Sequence, residues 1–303
     1  MDHSHYRYSA LPQRPATNAP SGLQAYVLLC LEHWHALPPG GAVWDKRFVG
    51  EFGSFSPDYR SWTQREYGLR IGVFRVLDAL QAAGIRPAVA ANARVLERVP
   101  GLVRQLTDLG CEWVGHGLAA NQLMHGRMAL EEQRDHIGQA LAAMTDATGQ
   151  RPRGWLSQDW GTTPDTYCLL AEAGLVYTLD WCNDDQPYLM QAGSPEGQPL
   201  VAVPLSAEWD DVQCQWLRQL SPRAHATLAL CGFDRLREEC SAHSRSAVYG
   251  LALHPWVCGM SSRIGPLREL LAALAGRPGV TWTTPGVIAA SQHASAASAD
   301  RQP

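Results

Sequence analysis

No apolar run in the 303 residues approaches the roughly 20 that a membrane-spanning helix requires, so no such helix and no membrane partner are expected. Charge is sparse, at 18% of residues, and the net value of −4 gives no electrostatic reason to expect nucleic acid as a partner. The first residues set Asp2, His3, His5, Arg7 and Arg14 among Pro12, Pro15 and Pro20 and lack the apolar core of a secretion signal; a cytoplasmic location is expected. No Cys-x-x-Cys pair occurs among Cys30, Cys111, Cys168, Cys182, Cys214, Cys231, Cys240 and Cys258, which argues against a structural zinc or a redox pair and for mostly small buried apolar roles. No Gly-x-Gly-x-x-Gly turn follows the first apolar run, which counts against a doubly wound dinucleotide fold.

What is present is enough apolar residues, 46%, for a large core, in a chain long for one ordinary domain but normal for a single α/β barrel. Residues 1–22 read as a disordered tail, 23–292 as one barrel domain and 293–303 as a flexible end. Short apolar runs at 25–31, 87–91, 111–114, 154–156, 175–179, 200–204, 248–253 and 280–283 alternate with helical patterns, among them 71–83, 129–148 and 222–241. That alternation predicts a distorted parallel (β/α) barrel of seven or eight strands, TIM-barrel-like, in the α/β class. Residues 36–65, rich in Gly, Pro and aromatics, are too long for a simple connector and are expected to fold over the site as a lid. Eleven tryptophans are many, and Trp34, Trp44, Trp62, Trp160 and Trp181 fall in apparent loops, which suits a lined pocket or a homo-oligomer interface.

In a parallel barrel, ligands bind at the C-terminal strand tips. The polar residues there are Glu32 and His33 after the first run, Asn92 (also a helix-cap candidate) after the second, His116 within Gly115-His116-Gly117 after the third, Asp159 after the fourth, Asp180 after the fifth and His254 after the seventh. Single acids at strand ends are usually caps, and Asp184 and Asp185 could simply build the turn before Pro187; several imidazoles and acids at corresponding points of different units point to a site.

These stretches resemble the polysaccharide deacetylase family, within it the cytosolic allantoinase-like branch. The matching pieces are Val27-Leu28-Leu29-Cys30-Leu31-Glu32-His33, Gly115-His116-Gly117, Gly154-Trp155-Leu156, Leu179-Asp180-Trp181-Cys182-Asn183-Asp184-Asp185-Gln186-Pro187 and Leu251-Ala252-Leu253-His254-Pro255, over roughly 25–290. The resemblance implies hydrolysis of amide-type carbon–nitrogen bonds. In the family an Asp and two His hold a divalent metal; here Glu32 replaces that Asp and Ala120 stands where the second His would be, so Glu32 and His116 are the metal ligands if a metal binds, with His33 or His125 to complete the set. The expected cofactor is therefore none, or a weakly held divalent metal such as zinc.

The resulting expectation is a hydrolase of a small-molecule amide or ureide. Glu32 serves as base, His254 as acid oriented by Asp180, and His116 on the carbonyl; His33, Trp34, Asp159, Trp181 and Asp184 bind substrate. The alternatives are a metal-dependent deacetylase of an N-acetylated sugar, a thiolate mechanism through Cys182 with His254, and an inactive barrel that binds a small molecule or carbohydrate.

Overall fold

The computed structural model describes residues 4–14, 22–43, 56–191 and 199–299. Its centre is β1 (Gly22–Leu31), a ten-residue strand buried along almost its whole length. Parallel to it run β2 (Ala88–Ala91), β3 (Trp113–Gly115), β4 (Gly154–Trp155), β5 (Tyr177–Thr178), β7 (Val201–Ala202) and β8 (Ser246–Leu253), in the order β7-β5-β4-β3-β2-β1-β8. The sheet curls into the expected barrel, with α2 (Val73–Ala82), α3 (Ala93–Arg98), α4 (Pro100–Asp108), α5 (Leu130–Thr148), α6 (Thr166–Glu172), α7 (Pro222–His243) and α9 (Ile264–Ala275) between strands.

Two features depart from the expected barrel. The run at 280–283 supplies β9 (Val280–Trp282), which does not follow β8 around the barrel but pairs with the start of β1 at Leu23–Ala25, on a stretch that β2 does not reach. The seam between β7 and β8 is instead filled by β6 (Tyr188–Leu189), antiparallel to β7, and by the turn before it: Val248 N–H donates to the Asp185 carbonyl (2.8 Å) and Gln186 Nε2 to that of Ser246 (2.8 Å). Among the described residues no helix is long and apolar enough to cross a membrane.

Alternation along each strand divides the core in two. Leu23, Ala25, Val27, Leu29 and Leu31 of β1 pack with α2, α7 and α9, whereas Tyr26, Leu28 and Cys30 face the barrel interior with Ala88, Ala90, Val114, Leu156, Tyr177, Leu179, Val203 and Ala252. α10 (Pro285–Ala299) contributes Ile288 and Ala289 to that interior.

The tail expectations need correction over the described residues; 1–3, 15–21 and 300–303 lie outside them. Residues 4–14 pack on the barrel: Arg14 makes two hydrogen bonds to the Asp184 carboxylate (2.7 and 2.6 Å), and the rings of His5 and Tyr6 lie against Trp181. Residues 293–299 belong to α10. The expected lid is in part a helix, since α1 (Tyr59–Tyr67) begins well before Ile71 and runs through one wide turn into α2; Trp44 lies outside the described residues.

Candidate active site at the mouth of the barrel

Interior-facing residues continue past the strand ends, and that phase decides which polar groups meet. Glu32 is in step with Leu28 and Cys30, His116 with Val114, Gln158 with Leu156 and His254 with Ala252; all four line one cavity. Trp34, His35, Trp62, Arg65, Asp159, Trp160, Asp210 and Trp256 also line it. Arg65, 3% exposed, is sandwiched with its guanidinium 3.9 Å from the Trp34 ring centre and 4.9 Å from that of Trp256, so α1 forms one wall through cation–π contact.

Glu32 accepts hydrogen bonds from Gln158 Nε2 and from Trp256 Nε1 (2.7 Å), and its Oε1 lies 3.9 Å from His116 Nε2. Burial pushes its carboxyl up, but His116, the charge of His254 and Gln158 together bring it down to about 2. A depressed folded-state value stabilises the fold above the ordinary 4.5, and that contribution is lost as pH falls toward 2. Urea midpoints are therefore expected to drop more steeply for wild type than for Glu32→Gln between pH 4.5 and 2.

His116 is 1% exposed and lies within hydrogen-bonding distance of the Leu156 carbonyl through Nδ1 (2.7 Å). A carbonyl only accepts, so the proton is on Nδ1. Nε2 has no hydrogen-bond partner among the described residues. Gly117 follows in a left-handed conformation (φ 74°), with His136 Nε2 3.0 Å from where a Cβ would sit, so the turn admits only glycine without strain. Asn92 is at the N-cap of α3, as its position suggested, but its side chain makes no capping bond: it accepts from His33 N–H (3.0 Å) and donates to the His116 carbonyl and to Gln158 Oε1, tying three strand tips together.

His254 is fixed by an acid that the strand-tip reading missed. Asp211 Oδ1 accepts from His254 Nδ1 (2.6 Å) and Oδ2 from the His254 main-chain N–H (2.9 Å). Burial lowers the imidazole, yet the Asp211 and Asp210 carboxylates raise it well above its ordinary value, so it is charged at neutral pH. The signal is present in the sequence, since Asp210-Asp211 follows the sixth apolar run, but it sits six residues past that run rather than at its tip.

Asp180, expected to orient His254, does not. Its strand has Tyr177 and Leu179 inward, so Asp180 points the other way and accepts from Ser157 N–H (2.6 Å) and Oγ–H (2.9 Å). Burial pushes its carboxyl up to about 6, with Ser157 opposing. Trp181 and Asp184 do not line the cavity either and serve the N-terminal residues instead; His33 is turned away from it and packs its ring on His35, 4.9 Å between centres. Trp34 and Asp159 do line it. Asp159 and Trp160 both adopt positive φ (49° and 53°), which is strained for tryptophan and marks the rim they build. Cys182 is absent from the lining, and its thiol is pushed up to about 11, chiefly by desolvation, which leaves no thiolate for the alternative mechanism.

The donor set fits a firmly held catalytic metal poorly. Glu32 and the orphaned Nε2 of His116 are two ligands where catalytic zinc usually has three; Ala120 lines the cavity and has none to offer, and neither His33 nor His125 reaches it. Asp210, Asp211 and His254 also place ligand atoms within 4.8 Å of one another, a spacing a cation could use on distance alone. Both Asp211 oxygens are already spent on His254, however, and the imidazole acts there as donor.

No family model matches the chain. A presumed polysaccharide deacetylase of Schizosaccharomyces pombe is 24% identical over 237 residues, 74% of this chain and 73% of its own length. The crystal structure of a probable polysaccharide deacetylase from Pseudomonas aeruginosa PAO1 superposes with a TM-score of 0.79 at 23% identity, covering 93% of this chain and 95% of that one. That of Puue allantoinase gives 0.78 at 23% identity, covering 93% and 94%.

Proposed function

With a barrel of the polysaccharide deacetylase type as premise, we propose that this chain is a hydrolase of non-peptide carbon–nitrogen bonds acting on a small amide or ureide. The observation that carries the reading is the convergence of an ionised Glu32, the His116 imidazole and a charged His254–Asp211 pair on one tryptophan-walled cavity. The tryptophan walls suit a small molecule, and the allantoinase likeness supports a ureide or cyclic amide among such molecules.

Amide hydrolysis needs an attacking water, stabilisation of the tetrahedral oxyanion and a proton for the leaving nitrogen. His254 supplies the proton through the ring nitrogen not taken by Asp211. His116 Nε2, without a protein partner among the described residues and unprotonated because the proton is on Nδ1, accepts a hydrogen bond from a substrate N–H. Glu32 is the fixed anion of the cavity, opposite His116; a carboxylate held near 2 is a weak proton acceptor at neutral pH, which weakens the base role expected for it. The mechanism runs without a tightly held metal.

The test is turnover of hydantoin, allantoin, simple acetamides and N-acetylglucosamine, each with EDTA and with added zinc. Hydrolysis of a ureide or cyclic amide that survives chelation is expected. Strictly zinc-dependent release of acetate from N-acetylglucosamine would favour the sugar deacetylase, and failure on every probe would leave a binding barrel.

A further inference from the structure

We propose that Asp210 is the general base of this site, taking a proton from the attacking water while His254 protonates the leaving nitrogen. The proposal rests on the hydrolase reading above. Asp210 lines the same cavity and is 1% exposed. Its Oδ1 accepts from Gln213 N–H (2.8 Å), which fixes the carboxyl's rotation, and Oδ2 has no hydrogen-bond partner among the described residues. That free oxygen lies 3.7 Å from His254 Nδ1. Asp210 is not needed to hold the imidazole, because Asp211 already engages its ring and its main chain.

The aspartate is also placed with care. The preceding Trp209 donates from Nε1 to the Gly250 carbonyl (2.8 Å), stacks on Tyr249 at 5.0 Å, and its own carbonyl lies 2.9 Å from His225 Nε2. A buried carboxylate oxygen left without a donor costs several kcal/mol unless it gains a proton or a ligand donor. A water bound beside it supplies that donor.

The groups around Asp210 agree. Asp211 in its own segment and Glu32 just after β1 oppose its ionisation, and His254 just after β8 favours it; Cys30, Cys182 and Cys214 also sense its charge, each with a thiol pushed up from its ordinary value. Burial, the largest influence, raises Asp210 to about 7, near the operating pH at which a base works best, whereas Glu32 lies near 2. In the step, water oxygen bonds to the carbonyl carbon as its proton passes to Asp210 Oδ2. The carbon–nitrogen bond then breaks, its electron pair taking the His254 proton. The proton on Asp210 returns to His254 through solvent, restoring both groups.

The full-length Asp210→Asn and Asp210→Glu variants test this, with circular dichroism confirming the fold. On whichever probe of the panel is turned over, Asn is expected to lower kcat by about 10²-fold or more and abolish the rise in rate through pH 7, with Glu restoring part of both. Independently of any substrate, infrared difference spectra of wild type against Asn should show one carboxyl titrating near 7. Near wild-type turnover by Asn with the pH rise intact, or a carboxyl titrating only below about 5, would overturn the assignment. If no probe is turned over, the hydrolase reading and the base role fall together, and a carboxyl titrating near 7 then marks a ligand-binding acid only.

Discussion

His254→Ala is expected to lower kcat by about 10²-fold or more on any probe the wild type hydrolyses, with binding of that probe little changed. The imidazole is the group held charged at the cavity, and alanine leaves the departing nitrogen without a donor. Asp211→Asn should cost a comparable factor by another route. An amide there removes the charge that helps hold His254 protonated, and its single oxygen can accept from Nδ1–H or from the main-chain N–H of His254 but not from both. The signs follow from the shift. His254 lies above its ordinary 6.5, so the acid form persists through neutral pH in wild type, and loss of the Asp211 charge should move the high-pH limb of kcat downward. A pH–rate profile with its alkaline limb unmoved in Asp211→Asn would refute the pairing as a catalytic one. Folding stability should follow the same group, being fully present below 6.5 and lost as pH rises through the raised value.

Gly72→Ala is expected to destabilise the fold by about 1–3 kcal/mol and to lower activity, although Gly72 touches no cavity residue named above except through its neighbours. A Cβ at Gly72 would overlap the Pro255 carbonyl oxygen and lie 3.4 Å from Gly259 Cα. Both contacts are backbone atoms, which cannot turn aside as a side chain can. They belong to α8 (Pro255–Cys258) and its end, the short helix that follows His254 and carries Trp256 to Glu32. Urea denaturation gives the stability change, and the same variant's kcat reports whether displacement of α8 reaches the site. An unchanged midpoint would show that the contact between the wide turn before α2 and α8 relaxes freely.

The barrel was legible because each apolar run is short, bounded by turn residues and separated from the next by a helical pattern. Its closure was not: β6 holds only Tyr188 and Leu189, too few residues to show a period, and the turn Asp185–Gln186 that bridges to β8 looks like an ordinary acidic turn. The N-terminal residues have the composition of a tail and became structured because Trp181, Tyr188 and Asp184 offer them rings and a carboxylate.

The sequence by itself determined which strand owns which tip, and so that Glu32, His116 and His254 arrive at the same end of one barrel. Only the tertiary structure decided which tip residues face the cavity. A strand of a parallel barrel is buried on both sides, so Ala25-Tyr26-Val27-Leu28-Leu29-Cys30-Leu31 reads as one apolar run with no visible phase. Without phase, Asp180 and His254 look equivalent, although one turns to Ser157 and the other to the cavity. The partner of His254 lies 43 residues away in sequence, and no local spacing encodes such a pairing; it exists because β7 and β8 flank the same seam.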